Sequence, residues 1–183
     1  MPDNPSPVAG SAPFRLDNGA PVARALPHPA GRLVVATPQT KAGLSRQAKA
    51  GTAFRVAPNV YIVGASLAPE QAGAHHRTAI VGVFWPGAVL TDRTALTGGM
   101  PSEGWIFVAH PDPGRRSDLE LPGVTISPRV GPGPLPGDTP MPDGLHISGP
   151  ARRLVENVSI AGRPPRGRPS RQAGTEAIED EID

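Results

Sequence analysis

The chain has 183 residues, with 18 lysines and arginines against 16 acids for a formal charge of +2, 25 prolines, 22 glycines and no cysteine. The length admits one domain of ordinary size, or one with a small appendage. The missing cysteines exclude disulfides and thiolate metal sites and make the cytosol the natural compartment. No basic region followed by an apolar run opens the chain, and no apolar stretch approaches the ~20 residues of a membrane helix, so neither secretion nor membrane contact is expected.

Residues 1–31 and 161–183 are rich in Pro, Gly and charge and poor in large apolar side chains, so both are expected as disordered tails. Between them, Arg32 to Ala36 reads as a short apolar strand or coil, because Pro27, Pro29 and Pro38 forbid one long helix there. Leu44 and Ala48 share a helical face, and Gly51 stops that helix. Phe54 to Val56 and Val60 to Val63 are strands joined by a turn at Ala57-Pro58-Asn59. Residues 32–64 thus read as a reduced winged-helix element, and 65–160 as a small mixed-sheet domain, in an α+β chain.

A helix is expected from Pro69 to Val83, with Pro at its first turn and Ala72, His76, Ala79, Ile80 and Val83 on one side. Thr91 is expected to cap a short helix ending near Thr97. Strands follow at Trp105 to Ala109, Val124 to Ile126 and Leu145 to Ser148, with a Pro/Gly loop at Gly131 to Pro142. Ser148 or Gly149 caps a last helix carrying Leu154, Val155 and Val158. Phe54, Tyr61, Phe84, Trp85, Trp105 and Phe107 are the large anchors of a modest core.

Chemical motifs are few. His75 and His76 are adjacent on a helix and diverge by about 100°, whereas a metal pair needs a spacing of three or four. One packed and one solvated histidine is the expectation. His110, Asp112 and Asp118 lack a nucleophile beside them, so His110 is expected as a satisfied histidine at a strand end. Gly98-Gly99 and the segment GPGPLPG match no phosphate loop. No catalytic residue, metal, cofactor or small-molecule substrate is therefore expected. The bases are mostly arginine. Five acids lie in the last eight residues, and without them eighteen bases face eleven acids, a net of +7. Arg46, Lys49 and Arg55, on the helix and wing, are the candidate phosphate contacts. Arg115-Arg116 and Arg152-Arg153 read as basic surface pairs. Arg163, Arg166, Arg168 and Arg171 read as cations of a free linker.

The order of LSRQAKAGTAFRVAPNVYIV, GAVLTDRTALTGGMP, WIFVAHP, LPGVTISPR and DGLHISGPARRLVEN resembles the AbiEi-type antitoxin and transcriptional regulator family of bacteria over residues 44–157. The resemblance implies a winged helix before an α/β domain whose last strand enters a helix, here at Ser148 to Val155. It implies a non-enzymatic regulator that binds promoter DNA and neutralises a nucleotidyltransferase-type toxin. The chain departs from the family upstream of Leu44, where no intact recognition helix is readable, so weak, salt-sensitive DNA binding is expected. The Arg/Pro linker and the helix that breaks off at the acidic end also resemble the front of Fic-family proteins. That suggests an alternative: a non-catalytic interaction module, or a truncated N-terminal remnant, of a longer Fic-like protein. The Fic signature is absent, so no nucleotide transfer is implied.

Overall fold

A computed structural model describes residues 28–112, 114, 117–158 and 167–173. The expected N-terminal tail up to Pro27, and Arg115, Arg116, Arg163 and Arg166, lie outside the described residues.

The first unit is strand, helix, hairpin. Strand β1 (Arg32–Val35) precedes helix α1 (Pro38–Lys49), and β2 (Ala53–Ala57) and β3 (Val60–Val63) follow. Thr37 and Thr40 form a reciprocal capping box and Pro38 occupies the first turn, so the proline that forbids a longer helix also starts this one. Gly51, at φ +75°, closes it as expected. The hairpin turns at Pro58-Asn59. β1 and β2 both pair antiparallel with β3, giving the order β1-β3-β2.

The second sheet is mixed, in the order β6-β7-β5-β4-β9-β8. Its strands are β4 (Val89–Leu90), β5 (Trp105–His110), β6 (Leu119–Leu121), β7 (Val124–Val130), β8 (Thr139–Pro140) and β9 (His146–Ile147). Helices α2 (Pro69–His75), α3 (Arg77–Phe84), α4 (Asp92–Leu96) and α5 (Pro150–Val158) complete the α+β fold. The two sheets share one core. Val56, Val60 and Ile62 of the hairpin cluster with Ile80, Trp85, Leu90, Ile106, Val108, Leu121 and Ile126. The boundary expected at residue 64 therefore separates two sheets, not two hydrophobic cores.

Several expectations are corrected. The helix from Pro69 to Val83 is two helices, broken at His76 (ψ 10°). His76 Nε2 lies 3.2 Å from the Ala30 carbonyl and 3.3 Å from that of Gly31, a bond to the chain entering β1. His75 is exposed and packs on the His28 ring at 4.5 Å. Thr91 stands at the N-cap of α4 as expected, but its hydroxyl makes no cap bond to the helix backbone and donates to Asp92 Oδ2 instead. β7 runs through Pro128 to Val130 rather than stopping at Ile126. This is possible because β6 pairs only as far as Ile126, leaving Pro128 no antiparallel neighbour that needs its missing N–H. The Pro/Gly loop contains the edge strand β8.

Helix α5 departs most. Val155 is 73% and Val158 59% exposed, while Asn157 is buried. The face turned inward carries Arg152 and Glu156, which pair with Asp138 of the Pro/Gly loop and with Arg129 of β7. Replacing Val155 and Val158 by Gln is expected to change stability by less than about 0.5 kcal/mol each, as at an open surface. Truncating the buried Leu90 to Ala should cost ~2–5 kcal/mol. Thermal melts compare them, and a core-sized loss at Val155 would mean that this face is covered.

Candidate functional site

Two charged constellations lie on the molecule, one of cations alone and one of paired acids and arginines. The first is the strand–helix–hairpin unit. Arg46 and Lys49 occupy the last turn of α1, and Arg55 stands in β2 opposite Tyr61. Tyr61 lies 3.5 Å, hydroxyl to hydroxyl, from Ser45 of α1, so this sheet face is the one that α1 covers. Arg55 Nε donates to the Ala57 carbonyl across the register shift of β2, which holds its stem along the strand.

Arg32 and Lys41 join these three residues, and all five are exposed. Arg32 and Arg46 line one groove of about 400 Å³ between β1 and α1, with Val34, Gln39, Thr40, Gln47 and Val63. No acid occurs between residues 28 and 69. Among the described residues, none of the five cations lies within ion-pair distance of a carboxylate. The unit is thus a field of +5 with no internal neutralisation. Arg32 and Lys41 were not among the residues expected from sequence. Counting charge over the whole stretch, rather than along the helix and wing alone, would have found them.

The second constellation lies at α5. Asp92, at φ +55°, opens α4 and is almost wholly buried. Its carboxylate takes Arg129 Nε at 3.2 Å. Arg129 reaches on to Glu156 at 2.7 Å, and Glu156 to Arg152 at 2.9 Å. Arg152 holds Asp138 at 2.7 Å and donates to the carbonyls of Pro132 and Gly133. Burial alone would raise the Asp138 carboxyl, but the N–H groups of Gly149 and Leu135 and the Arg152 guanidinium hold it below the usual carboxylate range. Burial likewise opposes the charge on Arg129, yet Asp92 and Glu156 raise its affinity for the proton above the ordinary value. Arg152 and Arg153, expected as a basic surface pair, are tied in here. Arg153 Nε donates to the Ser148 carbonyl.

Residues 167–173, expected as part of a free linker, lie against this network. Arg171 donates to Asp92, to the Ser127 hydroxyl and to the carbonyls of Ser127 and Pro128. Its guanidinium stands 4.9 Å over the Phe107 ring. Arg168 pairs with Asp118 and covers Trp105 at 5.6 Å. The Arg171 carbonyl accepts from Arg93 N–H, and Ala173 N–H donates to Asn157. Linker composition hides these bonds, because their partners lie up to 79 positions away in the chain.

The residues weighed for catalysis do not converge. His110 Nδ1 accepts from Asp112 N–H at 3.1 Å, which leaves Nε2–H to donate to the Pro86 carbonyl at 3.0 Å. Asp118 faces Ser127 and Arg168. Among the described residues no three His, Asp or Glu side chains are grouped as metal ligands, and no helix is long and apolar enough to cross a membrane.

Comparison with protein-family models, with curated proteins and with solved structures finds no match for this chain. The functional reading rests on the residues themselves.

Proposed function

We propose that the chain is a non-enzymatic, cytoplasmic DNA-binding regulator that contacts phosphates through its strand–helix–hairpin unit. The observation that carries this reading is the five exposed cations, Arg32, Lys41, Arg46, Lys49 and Arg55, on a stretch without an acid. A polyanion is the partner such a field attracts. Arginine and lysine contacts of this kind position a duplex without reading its sequence. With one helix between β1 and β2, base readout is sparse, so the binding is weakly specific. The resemblance to AbiEi-type antitoxins extends the proposal to promoter DNA and to neutralising a nucleotidyltransferase-type toxin.

The test is a salt titration of binding by anisotropy, on promoter DNA and on random duplex. Each phosphate contact contributes about −0.9 to the slope of log affinity against log salt. Changing Arg46, Lys49 and Arg55 together to Ala should weaken binding to both duplexes alike and flatten the slope by about three units. Adding Arg32→Ala and Lys41→Ala should flatten it by about two more. An unchanged slope in the triple variant would remove those residues from the interface. No binding by the wild-type chain at low salt would sink the regulator reading.

A second reading, an interaction module of a longer Fic-like protein, is favoured by one observation. Leu135 and Val155, both exposed, line a groove of about 510 Å³ with Pro132, Pro136 and Ala151. Binding of a partner protein that survives the triple Ala substitution, in a chain that ignores DNA, would favour it.

A further inference from the structure

The groove under residues 167–173 has a chemistry of its own. Its walls offer the carboxylates of Asp92 and Asp118, the Ser127 hydroxyl and the carbonyls of Ser127 and Pro128. Pro128 adds an acceptor without a donor, at the point where β6 no longer flanks β7. The floor is two aromatic rings of β5, Trp105 and Phe107, stacked at 6.3 Å with 13° between their planes. Acceptors around flat π faces suit a guanidinium, which donates in a planar fork and stacks through its face. An ammonium cannot do both.

Charge leads to the same class of ligand. At the groove itself Arg171 pairs with Asp92, which also holds Arg129, and Arg168 pairs with Asp118. The intervening Pro169 and Ser170, and the flanking Gly167 and Gln172, include no large apolar side chain. Arg171 keeps 22% and Arg168 32% of its side chain exposed. The segment is held by charge, stacking and a few backbone bonds, and such contacts exchange with competing ligands of the same kind. Burial, with Arg129 and Arg168 nearby, also makes the charge on Arg171 harder to hold than usual.

We propose that the groove bounded by Asp92, Trp105, Phe107, Asp118 and Ser127 is a receptor for an extended Arg-x-x-Arg segment. The chain's own Arg168-Pro169-Ser170-Arg171 occupies it in cis, and an arginine-bearing segment of another protein displaces it in trans. This surface is acidic and separate from the basic strand–helix–hairpin unit, so its test does not depend on DNA binding.

The experiment uses the full chain and a fluorescent peptide with the sequence of residues 167–173. Arg168→Ala/Arg171→Ala vacates the groove. Anisotropy should show saturable one-to-one binding to this variant. Binding to the wild-type chain should be at least tenfold weaker, because its tethered segment competes at high effective concentration. A peptide with citrulline at both arginines should bind at least tenfold more weakly than the arginine peptide, and adding Asp118→Asn to the vacated variant should weaken binding further. Arg168→Lys/Arg171→Lys keeps both charges and guards against misfolding of the alanine pair; it loses the fork and the stacking and should also bind more peptide than wild type. If whichever pair melts cooperatively binds the peptide no better than wild type, or takes the citrulline peptide equally well, the groove is a fixed structural contact and the proposal falls.

Discussion

Replacing Arg152 by Ala should destabilise the fold by about 3–5 kcal/mol, among the largest losses expected of any single substitution in the chain. The Arg152 side chain is 8% exposed and that of Asp138, which it holds, 1%. Truncation leaves Asp138 without its cation and Glu156 with Arg129 alone. The carbonyls of Pro132 and Gly133 lose their donor too. For a chain of this length, the deficit corresponds to a fall in Tm of roughly 6–20 °C. Glu103→Gln is the calibrating variant. The Arg93–Glu103 pair is at the surface, with Glu103 59% exposed, so that change should cost under about 1 kcal/mol.

The pH dependence of that deficit has a definite sign. In the wild-type chain Asp138 is held below its ordinary range, so its contribution is full above about pH 4 and is lost as pH falls through the lower, folded-state value. In Arg152→Ala the cation is gone while the burial and the N–H groups of Gly149 and Leu135 remain, so the carboxyl shifts upward from its wild-type value and the folded state takes up a proton more readily. Lowering the pH from 7 to about 3 should therefore narrow the gap between variant and wild type. Melts at the two pH values measure it. A deficit that is small, or that widens as the pH falls, would show that the network is solvated and its charges already screened.

The sequence reveals local features and hides long-range ones. The end of helix α1, its stop at Gly51 and the β2–β3 hairpin are set by neighbours in the chain: Leu44 and Ala48 on one face, a glycine at the end, apolar residues on both sides of Pro58-Asn59. They are legible for that reason, whereas Pro38, where α1 starts, reads along the chain only as a break. Strands β4, β6, β8 and β9 have two or three residues each, too few to show a period, and only β9 was marked by its apolar flank. Pro128 stopped the reading of β7 because an isolated sequence does not disclose that β6 ends opposite Ile126.

The charged residues divide in the same way. Arg46, Lys49 and Arg55 are exposed on one unit because nothing near them in sequence is acidic, and that is visible along the chain. Arg152, Arg168 and Arg171 look like the same kind of residue, yet Arg168 and Arg171 meet acids 50 and 79 positions away, and Arg152, besides Glu156 one helical turn on, holds Asp138 14 positions back. Composition assigns them to solvent. The fold pairs them, and so turns the polar side of α5 inward and leaves Val155 and Val158 outside.

Gly149→Ala should be comparably damaging, for a reason of space rather than charge. A Cβ at this position would sit 2.2 Å from the Gly137 carbonyl oxygen and 2.7 Å from its carbon, both backbone atoms that no rotamer can move. The close approach is functional for the fold. It lets the Gly149 N–H reach Asp138 Oδ1 at 2.9 Å while the Gly149 carbonyl accepts the first helical bond of α5 from Arg153. Pushing the two chains apart would lengthen the Asp138 bond and pull that carboxylate away from Arg152, so steric and electrostatic losses fall on the same residues. Overpacking of this kind costs about 1–3 kcal/mol before any hydrogen bond is lost, so the total should exceed ~3 kcal/mol. Gly43→Ala supplies the opposite case. Gly43 lies inside α1 with nothing within 4 Å of the added carbon, and alanine there should stabilise by about 0.5–1 kcal/mol. Urea unfolding of both variants separates the two effects. If Gly149→Ala were as stable as wild type, the loop at Gly137 would have to yield freely, and the bond between Asp138 and the start of α5 would not be what anchors that helix.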